Sequence, residues 1–104
     1  MPTVKQSAPR RADVVQILAD HRQDLIERGV RSLAIFGSVA RDEAGPDSDV
    51  DVLVEFNRPT GLFALFDLNA YLEGLLERPV DLTTSGGLKE RVKPSVIRDL
   101  VHVY

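Results

Sequence analysis

The chain contains no cysteine. Disulfides and thiolate-bound metals are therefore excluded, and any metal must be held by oxygen or imidazole ligands. The absence also agrees with a cytoplasmic protein. No apolar run approaches the ~18 residues that a membrane span needs. The segment before Ala12 is polar and basic, carries Pro2 and Pro9, and has no apolar stretch of the kind a secretory signal requires. Internal repeats and low-complexity tracts are missing too. Nor is there an excess of basic charge: 13 Lys and Arg stand against 16 Asp and Glu, a formal net charge of -3. Such a balance gives no long-range attraction to nucleic acid, so no direct nucleic-acid substrate is expected.

What is present fits one small domain. The 104 residues leave no room for a second core. Hydrophobic residues make up 43% of them, enough for one core with some apolar surface left for a partner. Residues 1–11 read as a flexible N-terminal segment, and residues 12–104 as the domain.

Apolar residues Val14, Ile17, Leu18 and Leu25 recur at helical spacing, which predicts a helix over about Ala12–Arg28 closed by Gly29. His21 lies on or beside that stripe and reads as a structural or interface histidine ahead of a ligand. Val30–Phe36 is expected to be a first strand, covered on both sides near its end. A short helix is expected over Val39–Glu43, then a turn at Gly45-Pro46-Asp47. Asp49–Phe56 is the most regular strand, with Val50, Val52 and Val54 alternating against Asp49, Asp51, Leu53 and Glu55. Leu62–Leu76 is a second long helix, with so broad an apolar surface that it calls for burial on more than one side or for a partner. Pro79–Thr84 is a short third strand that opens on proline. Ser85-Gly86-Gly87 reads as a connection and Leu88–Val92 as one or two helical turns. Ser95–Tyr104 reads as an amphipathic helix running into an extended tail.

The chemistry gathers around Gly37-Ser38 and Asp49-Val50-Asp51. Side chains at i and i+2 on a strand point the same way, with Cα atoms about 6.5 Å apart. Asp49 and Asp51 therefore converge on one volume, where two like charges call for a cation. Mg²⁺ suits them, because it takes carboxylate oxygens and keeps other positions for water and phosphates. Gly37 has no Cβ and lets the backbone approach a phosphate. Ser38 adds a hydroxyl, and the amides that follow lie at a helix start where anions are favoured. Arg41 has two readings of equal weight: it extends toward a phosphate, or it pairs with Asp42, Glu43 or Asp47. Asp81 alternates against Val80 and Leu82. It completes a set of three carboxylates if its strand lies beside the one bearing Asp51, and otherwise stands as a surface or capping acid.

A Gly-Ser pair is a weak signal and Asp-x-Asp a moderate one, but their order and spacing after a strand are specific. The pattern Gly37-Ser38-Val39-Ala40-Arg41, then Ser48-Asp49-Val50-Asp51-Val52-Leu53-Val54, resembles the polymerase-beta-like nucleotidyltransferase superfamily. Within it the chain is most similar to the minimal nucleotidyltransferases, over residues 12 to 104. The resemblance implies an α/β (α+β) fold, a small mixed sheet packed with helices. It implies that Asp49, Asp51 and Asp81 bind magnesium, with two ions expected, and carry catalysis. Gly37 and Ser38, with Arg41, would hold the triphosphate of ATP. Many members of that family are antitoxins beside a HEPN ribonuclease toxin, and some silence it by transferring AMP to one of its tyrosines. One departure is visible: Asp42 stands where the family often has glycine.

The function expected is thus Mg²⁺-dependent adenylylation of a partner HEPN toxin. Two alternatives stand beside it: an antitoxin that acts by binding alone, and nucleotidyl transfer to a small molecule. The last is ranked third, because family members that do so usually carry a further domain.

Overall fold

The first long apolar stripe folds as two helices where the periodicity predicts one. In the computed structural model, which describes residues 8–84 and 93–104, α1 spans Arg11–Asp20 and α2 spans Arg22–Glu27. The break falls at His21. Its N–H reaches back only three residues, to Leu18 O at 3.1 Å. The carbonyl of Ile17, which a continuous helix would pair with that N–H, instead meets His21 Nδ1 at 2.8 Å. A carbonyl only accepts, so this ring nitrogen carries the proton. The half-buried ring also stands edge-on to Tyr71, with centroids 6.5 Å apart. His21 is therefore a structural residue, one that swaps a backbone bond for a side-chain bond and turns the chain. Gly29 ends α2 with φ +91° and its N–H on Ile26 O at 2.9 Å, the left-handed exit that glycine permits.

Four strands follow the order β3-β2-β1-β4 in one mixed sheet. β1 is Val30–Phe36 and β2 is Val50–Phe56. They run antiparallel, from Ser32 opposite Glu55 to Phe36 opposite Asp51, with an irregularity between Val30 and Ser32. Leu33, Ala34 and Ile35 are all buried in succession, so β1 is covered on both faces in its second half, as its apolar run predicts. β3, Val80–Thr84, runs parallel to β2. β4, Val101–His102, pairs antiparallel with Ala34 and Ile35 of β1.

Between β2 and β3 the chain crosses over through α4, Leu62–Leu76. This helix is apolar nearly all round, so packing decides which face turns inward. Leu68, Leu72 and Leu76 do so and are buried. Leu62 and Phe66 look out together with Phe63, at 63%, 59% and 86% exposure. The core joins the inward leucines to Val14 and Leu18 of α1, Leu25 of α2 and the valines of β2. The last helix, α5, is Lys93–Asp99, and it gives way to β4 two residues on. The expected connection at Ser85–Gly87 and the helical turns at Leu88–Val92 lie outside the described residues.

Candidate active site

The turn after β1 is built by burial. Val39 and Ala40 are packed into the core and pull the chain into a single helical turn, α3, at Gly37–Ala40. The turn therefore starts at Gly37, two residues before the expected position. Arg41 N–H bonds to Gly37 O at 3.1 Å and Glu43 N–H to Ser38 O at 2.8 Å. Gly37 adopts φ +75°, and a Cβ built on it would run into Asp51 Oδ2. The glycine is thus needed twice: for its backbone conformation, and to leave room for the first carboxylate of the adjoining strand.

Phe36, Asp51 and Asp81 form one row across β1, β2 and β3. Directly paired strand residues share a face. Asp51 and Asp81 therefore stand side by side on the face opposite the buried valines. The condition attached to Asp81 is met: its strand does lie beside the one bearing Asp51. The strand expected to start at Asp49 starts at Val50, so Asp49 falls just before β2 and is exposed. Asp51 is half-buried and Asp81 exposed. Two residues further along, Ala34, Leu53 and Thr83 make the next row on the same face, and there Ala34 and Thr83 are buried. Asp51 and Asp81 thus sit at the end of a face that closes behind them.

The donor set consists of carboxylates, the chemistry of a hard divalent cation. Among the described residues no three acidic or imidazole groups are gathered into a ready-made metal cluster.

The turns that flank the site are tied down by contacts of two kinds. Locally, Gly45 N–H bonds to Ser48 Oγ at 2.9 Å and Ser48 N–H returns to Gly45 O at 3.1 Å, which closes the predicted Gly45-Pro46-Asp47 turn. At long range, Asp42 takes φ +62°, the left-handed region that asparagine and aspartate tolerate best after glycine. Its Oδ1 accepts the Arg11 N–H at 2.9 Å, at the first turn of α1, where a carboxylate is favoured. An aspartate can therefore replace the glycine expected at that position. Arg41 donates to Glu43 at 3.0 Å and to Asp99 of α5 at 2.7 Å. These bonds, Asp99 first, raise its pKa above the ordinary arginine value. Glu43 is one of the three local acids named for it. Asp99 was not foreseeable, because nothing near Arg41 in the chain marks so distant a partner.

Two further contacts at the entrance of β3 also went unpredicted. Glu73 Oε2 accepts the Val80 N–H at 2.9 Å, and Arg78 donates to Pro46 O at 2.7 Å.

The Nucleotidyltransferase domain family model matches residues 16–102 of this chain. Protein adenylyltransferase MntA of Thermococcus cleftensis is 42% identical over 92 residues, which cover 88% of this chain and 93% of the relative. A solved minimal nucleotidyltransferase superposes with a TM-score of 0.69 at 36% identity, over 88% of this chain and 89% of that one. A chain of the complex between tri-AMPylated Shewanella oneidensis HEPN toxin and its MNT antitoxin shares the fold, with a TM-score of 0.59 at 18% identity over 86% and 71% of the two chains. The family model covers most of the chain and the identities hold across nearly its full length. On these grounds the chain belongs to the nucleotidyltransferase domain family, among its minimal, MntA-type members.

Proposed function

We propose that this chain is a Mg²⁺-dependent antitoxin that transfers AMP from ATP to a tyrosine of a HEPN-family toxin. The observation that carries the reading is the placement of Asp81 directly beside Asp51, with Gly37 packed against the Asp51 carboxylate. Asp49, Asp51 and Asp81 would hold Mg²⁺. When bound, the metal supplies neutralising charge for the phosphates and for the oxygens that attack and leave. Gly37 and Ser38 line the place for the outer phosphates. Asp81 takes the proton of the acceptor hydroxyl. The hydroxyl oxygen forms a bond to the α-phosphorus, the bond from that phosphorus to the bridging oxygen breaks, and pyrophosphate leaves. Arg41 serves this site as a tie between the Gly37 turn and α5, since both Glu43 and Asp99 hold its guanidinium. The relatives named as protein adenylyltransferases, and the complex with an AMPylated toxin, support the substrate pair.

The test is transfer of label from α-labelled ATP to a co-expressed HEPN toxin. Asp49→Asn with Asp51→Asn is expected to lower the rate on the order of 10³-fold while the far-UV circular dichroism stays unchanged. Undiminished transfer by the double variant would refute the mechanism.

One observation favours a second reading, neutralisation by contact alone. Leu62, Phe63 and Phe66 expose an apolar face at the start of α4. If that face does the work, growth rescue survives the double aspartate variant and is lost with Phe63→Ser plus Phe66→Ser.

A further inference from the structure

Resting on that reading of the site, we propose that Arg78 and Glu73 are positioning residues that hold β3 in register with β2 and so present Asp81 to the site. β3 is an edge strand of the sheet. A slip of one residue would turn Asp81 from the site face to the core face. Its first residues are poorly equipped to prevent this, because Pro79 has no N–H to give to the ladder. What Pro79 does offer is its carbonyl, which accepts the Val50 N–H at 3.0 Å. The Val80 N–H belongs to the same peptide unit and points the opposite way, away from β2. There the Glu73 carboxylate, reaching across from α4, accepts it at 2.9 Å.

Arg78 works from the other side of the same entrance. It precedes Pro79, and its guanidinium donates to Pro46 O at 2.7 Å. Pro46 leads through the closed Ser48 turn into Asp49 and β2. One arginine therefore fastens the approach to Asp81 against the approach to Asp49 and Asp51. Glu73 fixes the strand to its helix, and Arg78 fixes it to the neighbouring strand's loop. Both bonds fall before Asp81.

The full chain is tested with Mn²⁺ as the probe in place of Mg²⁺. Arg78→Met and Glu73→Met are each expected to weaken Mn²⁺ binding, read by electron paramagnetic resonance, by about 10-fold, as Asp81→Asn does. Placed on Asp81→Asn, neither adds a further loss, because each acts through that carboxylate. Arg78→Lys and Glu73→Gln keep a donor and an acceptor, and return affinity to within about 2-fold of wild type. In the transfer assay the methionine variants lower kcat and leave the KM for ATP unchanged. Unchanged Mn²⁺ affinity, or losses that add to that of Asp81→Asn, would overturn the proposal. A raised KM with unchanged kcat would make Arg78 a phosphate contact and overturn it equally. The Val80 amide gives a check that needs no variant: it should resist hydrogen exchange although it points away from β2, and rapid exchange there refutes the Glu73 bond. If wild type binds Mn²⁺ and shows this pattern but transfers no label, the adenylylation reading fails and the clamp stands.

Discussion

On one face of β2, Val50, Val52 and Val54 are wholly buried; on the other, Asp51, Leu53 and Glu55 keep part of their surface. The valine face is held by the hydrophobic effect, which is non-directional and tolerant of detail. Any helices with enough apolar surface would cover it. The aspartate face depends on alignment. In the function proposed above Asp51 acts with Gly37 beside it and Asp81 in the same row, an arrangement that rests on backbone register and a close approach. Disturbance of the first face should therefore cost stability in proportion to volume, and disturbance of the second should cost function out of proportion to stability.

Gly37→Ala tests the aspartate face most severely. It forces a side chain into φ +75° and into the Asp51 carboxylate. A loss of about 2 kcal/mol in denaturant unfolding is expected, together with a fall in adenylyl transfer of at least ~10-fold. An active, undestabilised variant would show that Asp51 is less closely fitted than the structure has it. Next in size, Val52→Ala should cost about 2 kcal/mol of stability through lost burial and the cavity left behind. The remaining folded molecules should transfer at the normal rate. Leu53→Ala, on the half-exposed face, should cost distinctly less. Equal losses from Val52 and Leu53 would erase the contrast between the faces.

Smaller effects lie at the margins of the sheet. Tyr104 donates its hydroxyl to Val30 O at 3.1 Å, and burial pushes its pKa up from 10.0 to about 12 against the opposing influence of Arg22. The folded protein thus favours the neutral phenol. Its contribution is complete below the unfolded value and fades as the pH rises through the folded one. Tyr104→Phe should lower stability by about 1 kcal/mol near neutrality and flatten the loss of melting temperature on the alkaline side. The smallest change concerns Glu55. Its hydrogen bond and ion pair with Arg31 at 2.7 Å hold its carboxyl below the ordinary value, with Ser32 assisting. A lowered folded pKa means stability that is present above the unfolded value and lost as the pH falls through the folded one. Arg31→Gln should therefore shrink the acid-side fall in melting temperature, an effect that added salt suppresses in wild type as well. A salt-insensitive difference would contradict an exposed pair.

The elements that follow from local pattern were legible almost to the residue. β1 runs Val30–Phe36 and α4 runs Leu62–Leu76, as the apolar spacing requires. Gly37-Ser38 and Asp49-Val50-Asp51 stood out as a candidate site by their spacing; alternation places Asp51 opposite the buried valines, whereas Asp49 lies one residue before the strand. The break at His21 was not legible, since it depends on a ring nitrogen choosing Ile17 O. Nor was the inward face of α4, where nearly every side chain is apolar and neighbours make the selection. The ties Arg41–Asp99, Asp42–Arg11 and Arg78–Pro46 join residues far apart in the chain, and such pairings leave no periodic trace. Asp81 lies between these cases. Its outward direction follows from alternation, but its place beside Asp51 is a matter of strand order.

The sheet order β3-β2-β1-β4 also bears on when the site comes into being. Among the described strands β1 is the first to be made, yet its outer edge is paired by Val101 and His102, with Val103 N–H then bonding to Leu33 O and Leu33 N–H to Tyr104 O. During synthesis Asp49 and Asp51 emerge early, Asp81 only after the crossover through α4, and the partner strand of Ala34 and Ile35 last of all. Contacts this distant in sequence form slowly. A ribosome-bound chain that stops short of β4 would carry Asp49, Asp51 and Asp81 while Ala34 and Ile35 still lack the partners that Val101 and His102 provide, so the sheet is completed only after the acids of the candidate site have been made.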